Sequence, residues 1–366
     1  MKTITARTIG IAASLLLAGG VMTACSATPS STNDGGSSSS DVSHAKIGLL
    51  LPEVTTLRYE EKDRPYFTDK LKELCPNCDL LYANASSDAS KQLQQAQSML
   101  TQGVKVLVVD PYDGVAAASI VAAAKAQNVP VVTYDRAIKS PDVSFAITND
   151  YEKVGELQAT ALVNRLKELN VAPGDGGILK IDGAETDANA ANIKLGSNKI
   201  IDASGYKVLA QVATWDPAEA QTWVAGQLTK FGAAGAIVGV YSANDGNGGA
   251  AIASMKAAGI KTMPPVTGLD ASLAGLQAVV AGDQYMTVYN PFKTEADQAA
   301  QTAWDLVNGK KPTATATING IPTFLNQPVA VTVKNIMDTI IKDQFYKVSD
   351  ICTANYAAAC DAAGIK

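Results

Sequence analysis

Two stretches of the chain repeat one order of features. They are VKVLVVDPYDGVAAASIVAAAKAQNVPVVTYDR (104–136) and AGAIVGVYSANDGNGGAAIASMKAAGIKTMPPVTGLDA (234–271). In each, an apolar strand runs into Asp-Gly (Asp113-Gly114, Asp245-Gly246), and an Ile follows seven residues after that Asp (Ile120, Ile252). A small-residue helix with a Lys comes next (Lys125, Lys256), and the following strand ends in Asp (Asp135, Asp270). Matched order over this length implies two lobes of like topology. Around both stretches, from Lys46 on, apolar strands alternate with helical patterns. That alternation argues for parallel, doubly wound α/β sheets. Two such lobes facing each other bring their strand tips to a shared cleft, where open α/β sheets hold ligands, in the arrangement of a hinged binding protein.

The first residues stand apart. Lys2 and Arg7 precede the apolar run IGIAASLLLAGGVMTAC, which is too short for a membrane span and reads as an export signal over 1–24. Small residues ahead of Cys25 resemble a bacterial lipobox, which implies cleavage there and acylation of the Cys25 sulfur. Residues 25–44 then form a Ser/Gly-rich tether. Four cysteines remain, Cys75 with Cys78 and Cys352 with Cys360; in an exported chain they suggest two local disulfides, with redox and zinc alternatives weaker at these spacings. A net charge of −5 and a pI near 5.1 argue against a nucleic-acid partner.

The polar residues at or just past strand ends are Arg58, Asp135, Arg136, Asn189, Asn244, Asp270 and Asn290, joined by the aromatics Tyr59 and Trp215. Carboxylates, guanidinium groups and amides suit a hydroxyl-rich ligand, since the charge-assisted bonds among them are the strong ones. An aromatic face packs on the C–H face of a sugar ring. Asp135-Arg136 is also readable as a structural ion pair between lobes. Enzyme readings fare poorly. The one histidine, His44, lies in the tether, so a His-based triad or His-ligated zinc site has no imidazole. Gly246-x-Gly248-x-x-Ala251 resembles a dinucleotide fingerprint, but Asn244-Asp245 intervene after the strand. NDGNGG resembles the start of a calcium loop, yet its twelfth position is Met255. Asp182, Glu185 and Asp187 leave a cation site or a glycosidase pair open, with a solvated loop as the plainer reading.

RYEEKDRP, GVKVLVVDPYDG, PVVTYDRAI, NDYEKVGELQATALV, DANAA, SANDGNGGAAI, VTGLDASLAG and MTVYNPF together resemble the sugar-binding lipoproteins of bacterial ABC importers, in the group that includes D-xylose- and ribose-binding proteins. The resemblance covers Lys46 to about Ser349. It implies a type I periplasmic binding protein: α/β, two Rossmann-like lobes joined by a three-strand hinge. On that reading 45–148 plus 291–325 form the N-terminal lobe and 149–290 plus 326–349 the C-terminal lobe. A disulfide-clipped tail follows over 350–366, with hinge points near Thr148-Asn149 and Met286 to Pro291. It further implies that Asp135, Arg136, Asn189, Asn244 and Asp270 bond the sugar, that Trp215 stacks on it, and that Arg58 and Tyr59 join them across a one-residue offset. Asn290 departs from the family, whose xylose binders carry a Lys there and whose ribose-type relatives carry an amide. The implied protein is a monomeric, lipid-anchored receptor on the extracytoplasmic face of the membrane, with no cofactor or metal. Its implied partners are a monosaccharide and an ABC permease with its ATPase. A receptor feeding a sensor, or a secreted glycan-active enzyme, are the alternatives.

Overall fold

A computed structural model describes residues 42–366 apart from 233 and 234. The expected signal peptide, Cys25 and most of the tether lie outside the described residues. The chain begins β1 (Lys46–Leu51), α1 (Arg64–Leu74), β2 (Asp79–Asn84), α2 (Ala89–Thr101), β3 (Val106–Val109), α3 (Ala118–Lys125), β4 (Val131–Tyr134) and β5 (Phe145–Asn149). It continues through α4 (Tyr151–Glu168), β6 (Gly177–Asp182), α5 (Ala188–Ser204), β7 (Lys207–Ala213), α6 (Pro217–Phe231), β8 (Ile237–Ser242), α7 (Asp245–Ala257), α8 (Leu273–Ala281) and β9 (Thr287–Tyr289). It closes with α9 (Phe292–Val307), β10 (Ala316–Ile318), β11 (Ile321–Asn326), β12 (Val329–Val331), α10 (Val348–Ile351) and α11 (Ala357–Ala363).

The first sheet has the order β10-β11-β5-β4-β3-β1-β2, parallel except for the β10–β11 hairpin. Its central strands are buried on both faces, which is why they read as unbroken Val/Ile/Leu runs. One face packs α1 and α9 through Phe67, Leu71 and Ala299; the other packs α2 and α3 through Met99, Leu100 and Ile120. The second sheet is β7-β6-β8, also parallel. Tyr151, Val154 and Ile193 cover one of its sides, and Val224 and Met255 the other.

The expected strand PPVTGLDA is reduced to single bridges, Val266 to Val240 and Leu269 to Val288. Pro264 and Pro265 have no N–H to donate, and Gly268 has no side chain to pack, so a regular ladder cannot extend through it. Those bridges still link the second sheet to the antiparallel pair β9–β12. The chain moves between the two sheets three times: after Asn149, between Tyr289 and Phe292, and between Asn326 and Val329. The β10–β11 hairpin turns at Asn319-Gly320, both at positive φ (51° and 82°), the geometry a two-residue hairpin needs. The four cysteines among the described residues pair as Cys75–Cys78 and Cys352–Cys360, the second closing the tail that packs on α8.

Candidate sugar-binding cleft

The repeated strand ends meet across the lobes. Asp135 follows β4 at φ 57° and Asp270 follows the Val266–Leu269 segment at φ 96°. Left-handed backbone outside glycine persists only where the surroundings hold it. At Asp135 the holding groups are the Thr133 hydroxyl on the Arg136 carbonyl (2.6 Å) and the Thr148 hydroxyl on the Asp135 carbonyl (2.7 Å). At Asp270 they are its own N–H on the Val288 carbonyl (3.0 Å) and the Ala271 N–H on the Thr287 hydroxyl (3.2 Å). Both constraints re-aim a carboxylate from the sheet edge into the cleft.

Asp135 is the most heavily bonded group there. Its Oδ2 accepts from Arg58 Nη2 (2.7 Å) and the Tyr59 hydroxyl (3.2 Å). Its Oδ1 accepts from Asn189 Nδ2 (3.2 Å) and from the Tyr151 hydroxyl, both carried by the second lobe. Arg58 also pairs with Asp63 through Nε (3.0 Å), and its guanidinium lies 4.1 Å from the Phe292 ring centre. Burial opposes the Arg58 charge, but Asp135 and Asp63 more than offset it and keep it protonated. Asp63 itself is held up to about 6: burial outweighs a guanidinium that it shares with Asp135. Arg136 faces Asp187 (Nε to Oδ2, 3.2 Å), Glu53 (3.7 Å) and Asp110 (3.8 Å), and lies 5.5 Å from the Tyr59 ring centre. The Asp110 carboxyl is raised well above its ordinary value by burial and by the neighbouring Asp135.

The second lobe contributes helix starts. Asp187 caps α5, taking the Asn189 N–H on Oδ1, while its Oδ2 accepts the Trp215 indole N–H at 2.9 Å. Gly183 makes room for that indole: a Cβ there would stand 2.0 Å from Trp215 Cζ2. Asn244 caps α7, its Oδ1 accepting the Asn247 N–H at 2.9 Å, and the residue lines the cavity. The Asp270 carboxylate has no side-chain hydrogen bond or ion pair among the described residues and keeps part of its surface on the cavity. Burial, with Asp245 and Asp135 nearby, holds it up to about 7 against the pull of Arg58.

A narrow cavity of about 30 Å³ lies between the lobes, well below the volume of an open small-molecule site, so a ligand needs the lobes to part. Arg58, Tyr59, Asp135, Arg136, Asn189, Trp215, Asn244 and Asp270 all line it, eight of the nine residues expected from the sequence. The ninth, Asn290, does not. It is wholly buried in the second crossing between sheets, and neither polar atom of its amide has a hydrogen-bond partner among the described residues. Asp187 also lines the cavity, although the sequence reading placed it in a solvated loop. It is buried because the α5 start turns inward between Arg136 and Trp215. Asp182, from the same reading, is buried on another face of β6 between Lys180 (2.6 Å) and Lys194 (3.6 Å), and Glu185 is exposed. The three acids therefore do not form one catalytic cluster. Tyr151, Glu53, Asp63 and Asp110 escaped the sequence reading; Asp110, at the tip of VLVVD, had the same strand-end signal as Asp135.

Comparison with known proteins agrees with this geometry. The family model described as a periplasmic binding protein domain matches residues 47–311. The D-xylose-binding periplasmic protein of Escherichia coli (strain K12) is 34% identical over 316 residues, covering 84% of this chain and 92% of that protein. The multiple sugar-binding periplasmic receptor ChvE of Rhizobium radiobacter is 28% identical, over 83% of this chain and 92% of that protein. A carbohydrate transporter solute-binding protein from Chloroflexus aurantiacus, solved in complex with D-glucose, superposes with a TM-score of 0.74 at 27% identity, over 83% of this chain and 97% of that one. No helix among the described residues is long and apolar enough to cross a membrane. The two sheets, the three crossings and these matches make this chain a member of the periplasmic binding protein domain family, with the type I fold.

Proposed function

We propose that the protein is the solute receptor of an ABC importer and captures one monosaccharide, a xylose-like pentose or a hexose, in the interlobe cavity. The observation that carries this is the convergence of Asp135, Arg136 and Arg58 from one lobe with Asn189, Trp215, Asn244 and Asp270 from the other on that cavity. Sugar hydroxyls donate to the carboxylates and accept from the guanidinium and amide groups, and Trp215 offers a ring face. The relatives' names, a xylose binder and a multiple-sugar receptor, support the same ligand class. The lobes 45–148 plus 291–325 and 149–290 plus 326–349 act as rigid bodies that close over the sugar, the three crossings bending between them. The closed form then docks on the permease. Export, acylation of Cys25 and the tether keep a monomeric receptor at the outer face of the membrane. No step of the cycle requires bond chemistry in the receptor.

The test is calorimetry on the soluble body with xylose, ribose, glucose and galactose, joined to small-angle scattering. Binding of at least one sugar, with a smaller radius of gyration at saturation, is expected. Failure of every sugar sinks the receptor reading; binding with an unchanged radius sinks the hinge.

A further inference from the structure

The charge of every cation at the cavity is already countered by carboxylates, though the Arg136 side chain makes no hydrogen bond among the described residues. Arg58 is held by Asp63 (3.0 Å) and Asp135 (2.7 Å), and Arg136 by Asp187 (3.2 Å), with Glu53 and Asp110 behind. All of these side chains are buried. No lysine and no third arginine lines the cavity among the described residues. On the opposite wall Asp270 presents a carboxylate that no side chain engages. The cavity therefore offers spare acceptor capacity and no spare positive charge. A phosphate or carboxylate brought here would face Asp135, Asp187 and Asp270, while the positive charge of both guanidiniums is already countered by Asp63, Asp135 and Asp187, in a site where water screens the repulsion little. An ammonium group of the same size as a hydroxyl meets the reverse situation.

We propose, on the basis of the sugar-receptor reading, that the cleft sorts ligands by charge. It admits neutral sugars and sugars carrying an ammonium group, which Asp270 receives, and it excludes sugar phosphates and sugar acids. Repulsive elements of this kind give specificity as effectively as added contacts. The charged groups that act on Asp270 are Arg58, the one cation among them, Asp245 at the start of α7, and Asp135 and Asp63 of the other lobe. The acidic surround thus extends beyond the cavity wall.

The experiment separates charge from shape. Calorimetry at neutral pH compares glucuronate with glucuronamide, its neutral isostere, and compares glucose with amino-deoxy glucoses substituted at each position in turn. If the pocket takes pentoses alone, 2-amino-2-deoxyxylose against xylose decides. Glucuronate should bind weaker than glucuronamide by about a hundredfold, because like charges set against each other cost several kcal/mol. At least one amino form should match its parent sugar or exceed it. Asp270→Asn should lower the ratio of amino-sugar to neutral-sugar affinity by about tenfold or more. Glucuronate binding as well as glucuronamide overturns the proposal, and so does rejection of every amino form by a protein that binds the parent sugar. If no sugar binds at all, the receptor reading fails first, and the charge sorting fails with it.

Discussion

Asp135 and Asp270 occupy mirrored strand tips, yet truncating them should have opposite effects on the fold. Asp135 accepts four donors, among them Arg58 at 2.7 Å, and is buried. Asp135→Ala leaves Arg58 with Asp63 alone and strands the other donors, and breaking a buried pair costs roughly 3–5 kcal/mol. Asp270 has no such partners. Its carboxyl is raised from 3.8 to about 7, so its ionised form is disfavoured by at most roughly 4 kcal/mol in the folded protein. The folded pKa lies above the unfolded one. Stability from this group is therefore complete below about pH 4 and is lost as pH rises through about 7. Removing the carboxyl removes that loss. Sugar-free Asp270→Ala should accordingly melt at or above the wild-type temperature at pH 8, and its advantage should shrink toward pH 5. Its sugar affinity should fall about a hundredfold, the equivalent of two charge-assisted hydrogen bonds at roughly 1.5 kcal/mol each. Thermal melts across pH and calorimetry at pH 8 read both quantities. An Asp270→Ala protein that melts lower than wild type at pH 8 while binding sugar normally would refute the reasoning on both counts.

Other outcomes follow from neighbouring groups. Sugar hydroxyls on Asp270 favour its ionised form, so binding near pH 7 should release protons; calorimetry in buffers of different ionisation enthalpy shows this, and identical heats in all of them count against it. Gly183→Ala places a methyl 2.0 Å from Trp215 Cζ2 and should weaken sugar binding by about tenfold at a packing cost of roughly 1–3 kcal/mol, with altered tryptophan emission as the direct readout. Asn290→Leu replaces an amide with no partner by an apolar group of similar size, so the sugar-free protein should gain about 1–3 kcal/mol and keep its sugar affinity; a large loss of affinity would restore Asn290 to the binding set. Cys352 and Cys360 should resist alkylation before reduction in mass spectrometry, and opening their short loop should cost roughly 2–3 kcal/mol.

What the sequence disclosed and what it hid have one physical basis. Doubly buried parallel strands need continuous apolar runs, so VLVVD and VVTYD announce both their strands and the polar residue at the tip. The repeat then pairs Asp135 with Asp270, and the structure gives both a positive φ. Residues whose role comes from a partner far along the chain carry no such mark. Asp187 is one acid in a polar stretch, and only the turn into α5 brings it between Arg136 and Trp215. Glu53, Asp63 and Asp110 are legible as acids but not as the buried acids that surround the two guanidiniums. Asn290 shows the converse: its motif marks it for the ligand, while the fold buries it away from the cavity lining. Strand tips are local consequences of a strand ending, and so they can be read in one dimension. Charge balance is a property of the assembled cleft. A list of tip residues makes Arg58 and Arg136 look like free cations awaiting an anion; the assembled cleft has already neutralised them, and the group left without a partner is a carboxylate.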